Sequence, residues 1–198
     1  MIDLPTDIIT DIPGNNAIDS PETVSAGVLS RVDVQWLTQF LTLTGVAIFL
    51  PFFIHLPWLT GPLVNAILIL VLLLCGLRSA ILVSFLPSLA ALSGGLLPLV
   101  LAPAIPFIII GNLIFVIMID WFYQRAHSDF TGYWWGVLSG AFLKFVFLFL
   151  GVNLLATFLI KAPVITLVAQ MLGWSQLITA ILGGMIAWFI LKFLRFFK

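Results

Sequence analysis

Apolar residues run in long blocks from Leu37 to the end of the chain, at about 37–56, 62–76, 79–93, 97–122, 132–160 and 175–197. A hydrocarbon core about 30 Å thick takes roughly 20 apolar residues of helix to cross. Between Gly61 and Trp121 the charged side chains are Arg78 and Asp120, so this stretch must cross more than once. The second and third blocks are short, each about 14 residues or roughly 21 Å of helix rise. They form either two spans or one over-long span with Arg78 inside it.

The positive-inside rule separates the two counts. Six spans with both termini in the cytoplasm place Arg31, Arg78, Arg125, Lys192, Arg195 and Lys198 inside and Lys161 outside. Five spans leave Arg78 in lipid, at a cost of at least about 2.5–3.5 kcal/mol. Six spans are therefore expected. Trp36, Trp58, Trp121, Trp134, Trp135 and Trp174 lie at the predicted span ends, where amphipathic rings favour the headgroup zone. Trp188 is the exception and should face the bundle or lipid. The pattern predicts an all-α integral membrane protein, a six-helix transmembrane bundle over 36–198 in a cell membrane, behind a polar cytoplasmic tail over 1–35.

Composition sharpens this picture. Hydrophobic residues make up 62% of the 198 and charged residues 8%, far from the roughly one quarter charged in soluble domains. The net charge of zero hides an asymmetry: Asp3, Asp7, Asp11, Asp19, Glu22 and Asp33 stand against Arg31 in the first 33 residues. Such an acidic start is not a secretory signal, which needs a positive n-region. Pro5, Pro13-Gly14 and Ser20-Pro21 read as turns in this tail, with a short surface helix from Ser20 to about Gln35 as an option. The single Cys75 excludes a disulfide framework or a cysteine-ligated cluster built within this chain. His55 and His127 fall on opposite predicted faces, so no metal site is expected from them.

The polar breaks inside the apolar blocks are the candidates for function. Gly136, Gly140, Lys144, Phe147 and Gly151 share one face of the fifth predicted helix, within an arc of about 80° at 100° per residue. Gln176, Thr179, Ala180, Gly183, Gly184 and Ala187 do the same on the sixth. Small residues so spaced let backbones approach closely in lipid, so Gly136, Gly140, Gly183 and Ala187 are candidates for helix packing or docking. Lys144 lies about 18 Å from the inner end of its helix by helix rise. An ammonium at that depth needs a partner or a wet cavity. Asn112 lies at matching depth on the fourth segment and is a candidate acceptor.

Pro98, Pro103 and Pro106 each remove a backbone donor, so the outer part of the fourth segment is expected to be broken. Non-helical backbone at membrane depth survives only where protein or a water-filled cavity covers it. A cavity beside Pro103 and Pro106, with Asn65, Asn112, Lys144 and Gln176 as its polar groups, is the expected binding site. No catalytic residues and no cofactor are expected.

The strings TGPLVNAILIL from Thr60, PSLAALSGGLLPLVLAPAIPFIIIGN from Pro87, KFVFLFL from Lys144 and QLITAILGGMIA from Gln176 carry a resemblance. Over about 60–190 the chain resembles the substrate-binding (S) components of energy-coupling-factor (ECF) vitamin and micronutrient importers. The resemblance implies six helices, termini inside, and an outward-facing pocket for a small-molecule substrate. It also implies docking on a membrane coupling protein driven by two ATPase subunits, and no nucleic-acid partner. The chain has no G-x-x-x-x-G-K-[ST] phosphate loop of its own. Family members commonly dock through alanines four apart on the first helix; here that helix offers Gly45 and Ala47 without such a pair. Gly183 and Ala187, or Ser84, Ser88 and Ala91, are the alternative docking positions.

Substrate capture for an importer is thus the expected function, and the protein is not expected to be an enzyme. A non-transporting membrane scaffold or assembly protein is the alternative. An intramembrane enzyme would need convergent polar groups, for which Asp120, Arg125, His127 and Asp129 are the available cluster. They read more simply as a solvated loop.

Overall fold

The computed structural model describes residues 34–53, 57–95, 99–158, 169 and 172–197. Among them six α-helices follow one another: α1 (Val34–Phe53), α2 (Pro57–Cys75), α3 (Leu77–Ser93), α4 (Ile105–Arg125), α5 (Asp129–Phe158) and α6 (Trp174–Phe193). A 3-10 segment, Leu99–Ala104, leads into α4. α1, α4, α5 and α6 are long and apolar enough to cross a membrane, and α2 and α3 are shorter apolar helices. The chain is an all-α, membrane-embedded, multi-pass protein. Large apolar side chains such as Phe49, Phe142, Phe149 and Phe189 are exposed on its outside, as a lipid-facing surface requires. The tail expected over 1–35 lies outside the described residues up to Asp33, as do His55 and Lys161.

The second and third apolar blocks are separate helices, and Gly76 divides them. Its φ of 89° and ψ of 167° lie where a side chain is rarely tolerated, so a glycine is required at this break. The Gly76 N–H still bonds the Leu72 carbonyl at 3.0 Å, and its carbonyl opens α3 by accepting from Ala80 at 3.1 Å. A continuous helix would hold Asn65 and Ser84 about 28 Å apart. In the fold they are linked through a chain of two side chains, Lys144 and Asn112. Lys144 bonds both Asn65 and Asn112, and Asn112 reaches the Ser84 carbonyl. α2 and α3 therefore fold back as a hairpin, and Arg78 sits exposed at its turn.

Side-chain register sets the direction of the other helices. Gly61 of α2 lies against Thr179 of α6, and Gly183 against Pro62 and Asn65, so these two helices run parallel. Gly136, Gly140 and Gly151 of α5 meet Ile119, Phe115 and Phe107 of α4 in reverse order, so that pair is antiparallel. Gly184 meets Val137, and Trp188 meets Tyr133 with ring centroids 5.0 Å apart, which makes α5 and α6 antiparallel as well. The ends of α2, α4 and α6 consequently lie together with the starts of α3 and α5. Arg78, Arg125, Lys192 and Arg195 are all placed at this one end. Trp36 joins them, its indole N–H donating to the Cys75 carbonyl at 3.2 Å.

The same end carries an aromatic cluster. The Tyr133 hydroxyl donates to the Gly184 carbonyl at 2.6 Å, and Trp188 stacks on Phe197 at 4.2 Å. Trp188 thus faces protein, in contact with Tyr133, Trp134 and Phe197. Trp36, Trp121, Trp135 and Trp174 are exposed near helix ends, while the Trp58 side chain lies outside the described residues.

Candidate functional site

Lys144 is the largest departure from an apolar core. It sits at the middle of α5 and is 2% exposed. Its ammonium donates to Asn65 Oδ1 on α2 and to Asn112 Oδ1 on α4, each at 2.8 Å. Asn65 and Asn112 are each 3% exposed. The Phe115 ring, one turn along α4, lies with its centroid 5.5 Å from the ammonium, near enough for a cation–π contribution. Because lysine has only donors, both amide oxygens must turn toward it, which fixes the orientation of the two amides. Asn65 Nδ2 then donates to the Gly61 carbonyl at 3.0 Å, and Asn112 Nδ2 makes a long 3.5 Å contact with the Ser84 carbonyl. Ser84 is itself buried, its hydroxyl donating back to Ala80.

These three side chains form one wall of a partly open cavity of about 160 Å³. Gln176 contributes a fourth polar side chain, and Thr60 and Ser88 add hydroxyls. Pro51, Val64, Pro87, Ala91, Ile105 and Ile108 supply the apolar remainder. The lining comes from the end of α1, the first half of α2, the end of α3, the first halves of α4 and α6, and Lys144 at the middle of α5. Lys144 forms its floor near mid-membrane, so the cavity occupies the half of the bundle remote from Arg78, Arg125, Lys192 and Arg195.

The structure brings Asn65, Asn112, Lys144 and Gln176 to one cavity and leaves two other expected site residues out of it. The side chains of Pro103 and Pro106 are exposed and do not line the space. Their part is in the backbone: Pro103 lies in the 3-10 segment, and Pro106 occupies the first turn of α4, where its missing N–H costs nothing. The break before Ile105 moves the start of α4 to the rim, and Ile105 and Ile108 do the lining. Pro98 lies outside the described residues.

The small-residue stripes are occupied within the chain. Gly136 and Gly140 are pressed on the α4 backbone: a Cβ at Gly136 would come 2.8 Å from Ile119 Cα, and one at Gly140 3.0 Å from the Phe115 carbonyl oxygen. Gly183 is buried against α2, and Ala187 is fully buried. Neither Gly183 nor Ala187 is therefore exposed for docking a partner. Ser84 is buried too, and Ser88 and Ala91 face the cavity. The loop cluster does not converge: Asp120 accepts from Gln124 at 2.7 Å, Asp129 from Tyr123 at 3.4 Å, and Arg125 lies over Trp121 at 4.5 Å.

The pairing of Lys144 with Asn112 was legible from depth alone. Asn65 as the second acceptor was not, since its helix begins with a turn signal and its depth relative to α5 depends on the hairpin. No protein-family model, curated protein or solved structure matches the chain.

Proposed function

We propose that this protein captures a small-molecule substrate within the membrane for an importer of the ECF type, handing it to a separate coupling protein driven by two ATPase subunits. The observation that carries this reading is the cavity itself. Four polar side chains from four helices, one of them a buried cation, converge on a space otherwise lined by apolar groups, the usual composition of a small-molecule site. A purely structural knot would need no cavity beside it. The basic end of the bundle marks the cytoplasmic face by the positive-inside rule, so the cavity faces outward, as capture from outside demands.

Co-purification and mass spectrometry test the reading. Gently solubilised protein should bring down ATPase subunits and a membrane partner, and should retain a small molecule that denaturation releases. Recovery of a different membrane protein, with no ATPase and no retained molecule, would favour the scaffold reading instead.

Orientation is tested by thiol labelling in a Cys75→Ala background. Ser93→Cys, at the end of α3, should react with an impermeant reagent in intact cells, and Ser128→Cys, between α4 and α5, should react only after lysis. The reverse pattern would turn the cavity toward the cytoplasm and end the capture proposal.

A further inference from the structure

The charge balance around Lys144 points to the class of ligand, an inference that rests on the capture reading. Among the described residues the carboxylates are those of Asp120 and Asp129, and both lie at the basic end with partners there. Among the described residues Lys144 is the one charged side chain lining the cavity. Its neighbours Asn65 and Asn112 supply dipoles but no counter-charge. A buried ammonium without an anion is costly, and amide oxygens offset only part of that cost.

The hydrogen-bond inventory has a consistent sense. An ammonium offers three N–H donors, and the amide oxygens of Asn65 and Asn112 take two. Each amide nitrogen carries two hydrogens and, among the described residues, donates to one acceptor, the Asn112 bond being long at 3.5 Å. With both amide oxygens turned toward lysine, three N–H hydrogens remain in the cluster, one on the ammonium and one on each amide, so its remaining capacity is mainly to donate. A donor-rich wall with one positive charge complements an acceptor-only group with one negative charge, which is a carboxylate. A phosphate or sulfate would bring a second negative charge into a wall holding a single cation. Size limits the rest of the ligand: a space near 150 Å³ holds about one benzene-sized molecule, and the cavity measures about 160 Å³. Its apolar walls at Val64, Pro87, Ile105 and Ile108 suit a hydrocarbon body.

We infer that the cavity binds a small monocarboxylate, with the carboxylate on the Lys144 ammonium and the apolar body between α3 and α4.

The test is calorimetric titration of the full chain in detergent. Benzoate, cyclohexanecarboxylate and hexanoate are the probes, each beside its own amide, with inorganic phosphate as a second anion. At least one carboxylate should bind saturably, with its amide about ten- to a hundredfold weaker, the range expected from losing a charge-assisted bond. Lys144→Met should abolish the preference for the acid. Asn112→Asp keeps the shape and places an internal carboxylate on Lys144, so it should fold well yet lose carboxylate binding. Equal binding of acid and amide, phosphate binding as tight as any carboxylate, silence of every probe, or unchanged carboxylate binding by Asn112→Asp would each overturn the inference. Competition by phosphatidylserine in nanodiscs, absent with phosphatidylcholine, would assign the site to a lipid headgroup and likewise overturn it. If cells yield a neutral retained molecule together with ATPase partners, the ligand class is wrong and the capture reading stands. If carboxylates bind but no importer subunits are recovered, the ligand class stands and the capture reading fails.

Discussion

Asn112→Leu is expected to lower stability by about 3 kcal/mol or more, the cost of leaving a buried charge short of a partner. In a chain of this size that corresponds to a fall of roughly 10 °C in Tm. The reason is the arrangement at Lys144, where Asn112 Oδ1 is one of two acceptors for a side chain that is 2% exposed. Leucine fits the volume and offers the ammonium nothing. Lys144→Met should also destabilise, by about 1–3 kcal/mol for each of the two amide oxygens it leaves without its donor. The combined change Lys144→Met, Asn65→Leu and Asn112→Leu removes the whole network and should recover much of the loss, since well-packed apolar groups often replace buried ions without penalty. Tm values in one detergent, set out as a mutant cycle, would show this strong non-additivity. Additive losses, or a harmless Asn112→Leu, would mean that the ammonium is solvated through the cavity instead of held by the amides.

The second large effect is expected at Gly183. A Cβ there would lie 2.6 Å from Asn65 Cβ, 2.7 Å from the Pro62 carbonyl oxygen and 3.0 Å from the Ala66 nitrogen. Two of these three atoms are backbone, so α6 must move away from α2 as a unit. Overpacking of this kind costs about 1–3 kcal/mol for alanine, and valine should exceed it. Asn65 would be displaced with its helix, so Gly183→Ala should also weaken ligand retention at a site it does not touch. Gly45→Ala is the matched control: nothing lies within 4 Å of a Cβ at that position in α1. It should leave Tm and retention unchanged, or raise Tm slightly as helix propensity improves. Equal effects of the two substitutions would show that the α2–α6 contact is looser than its geometry indicates.

Most of the architecture was legible in the chain, because in a membrane the rule that every backbone polar group be satisfied within a helix leaves few choices. The apolar blocks predicted six helices, and all but α4 lie within about five residues of their blocks; α4 begins at Ile105, eight residues into its block, after the 3-10 segment. Arg78 between two short blocks pointed to a turn, and the turn is there, at Gly76. Pro103 and Pro106 marked the irregular entry to α4 correctly, yet their rings face outward, because proline acts here by what it denies the backbone. Gly183 and Ala187 illustrate the opposite limit. Spacing shows that small residues form a stripe, and only the neighbouring helix decides whether the stripe packs inside the chain or faces another protein.

The sequence by itself determined the solvent this protein lives in, the number and approximate bounds of its helices, and the need for Lys144 to find a partner at mid-membrane. These follow from local quantities: hydropathy, helix rise and the cost of a charge in hydrocarbon. The tertiary structure alone decided that Asn65 joins Asn112 in sharing that charge, and that Ile105 and Ile108 rather than Pro103 and Pro106 line the cavity beside it. Each of these depends on helix rotation and order, which are set by close approach at positions such as Gly136, Gly140 and Gly183. In lipid that approach is driven by shape rather than by hydrophobicity, and shape between distant segments is not written in the pattern of either one.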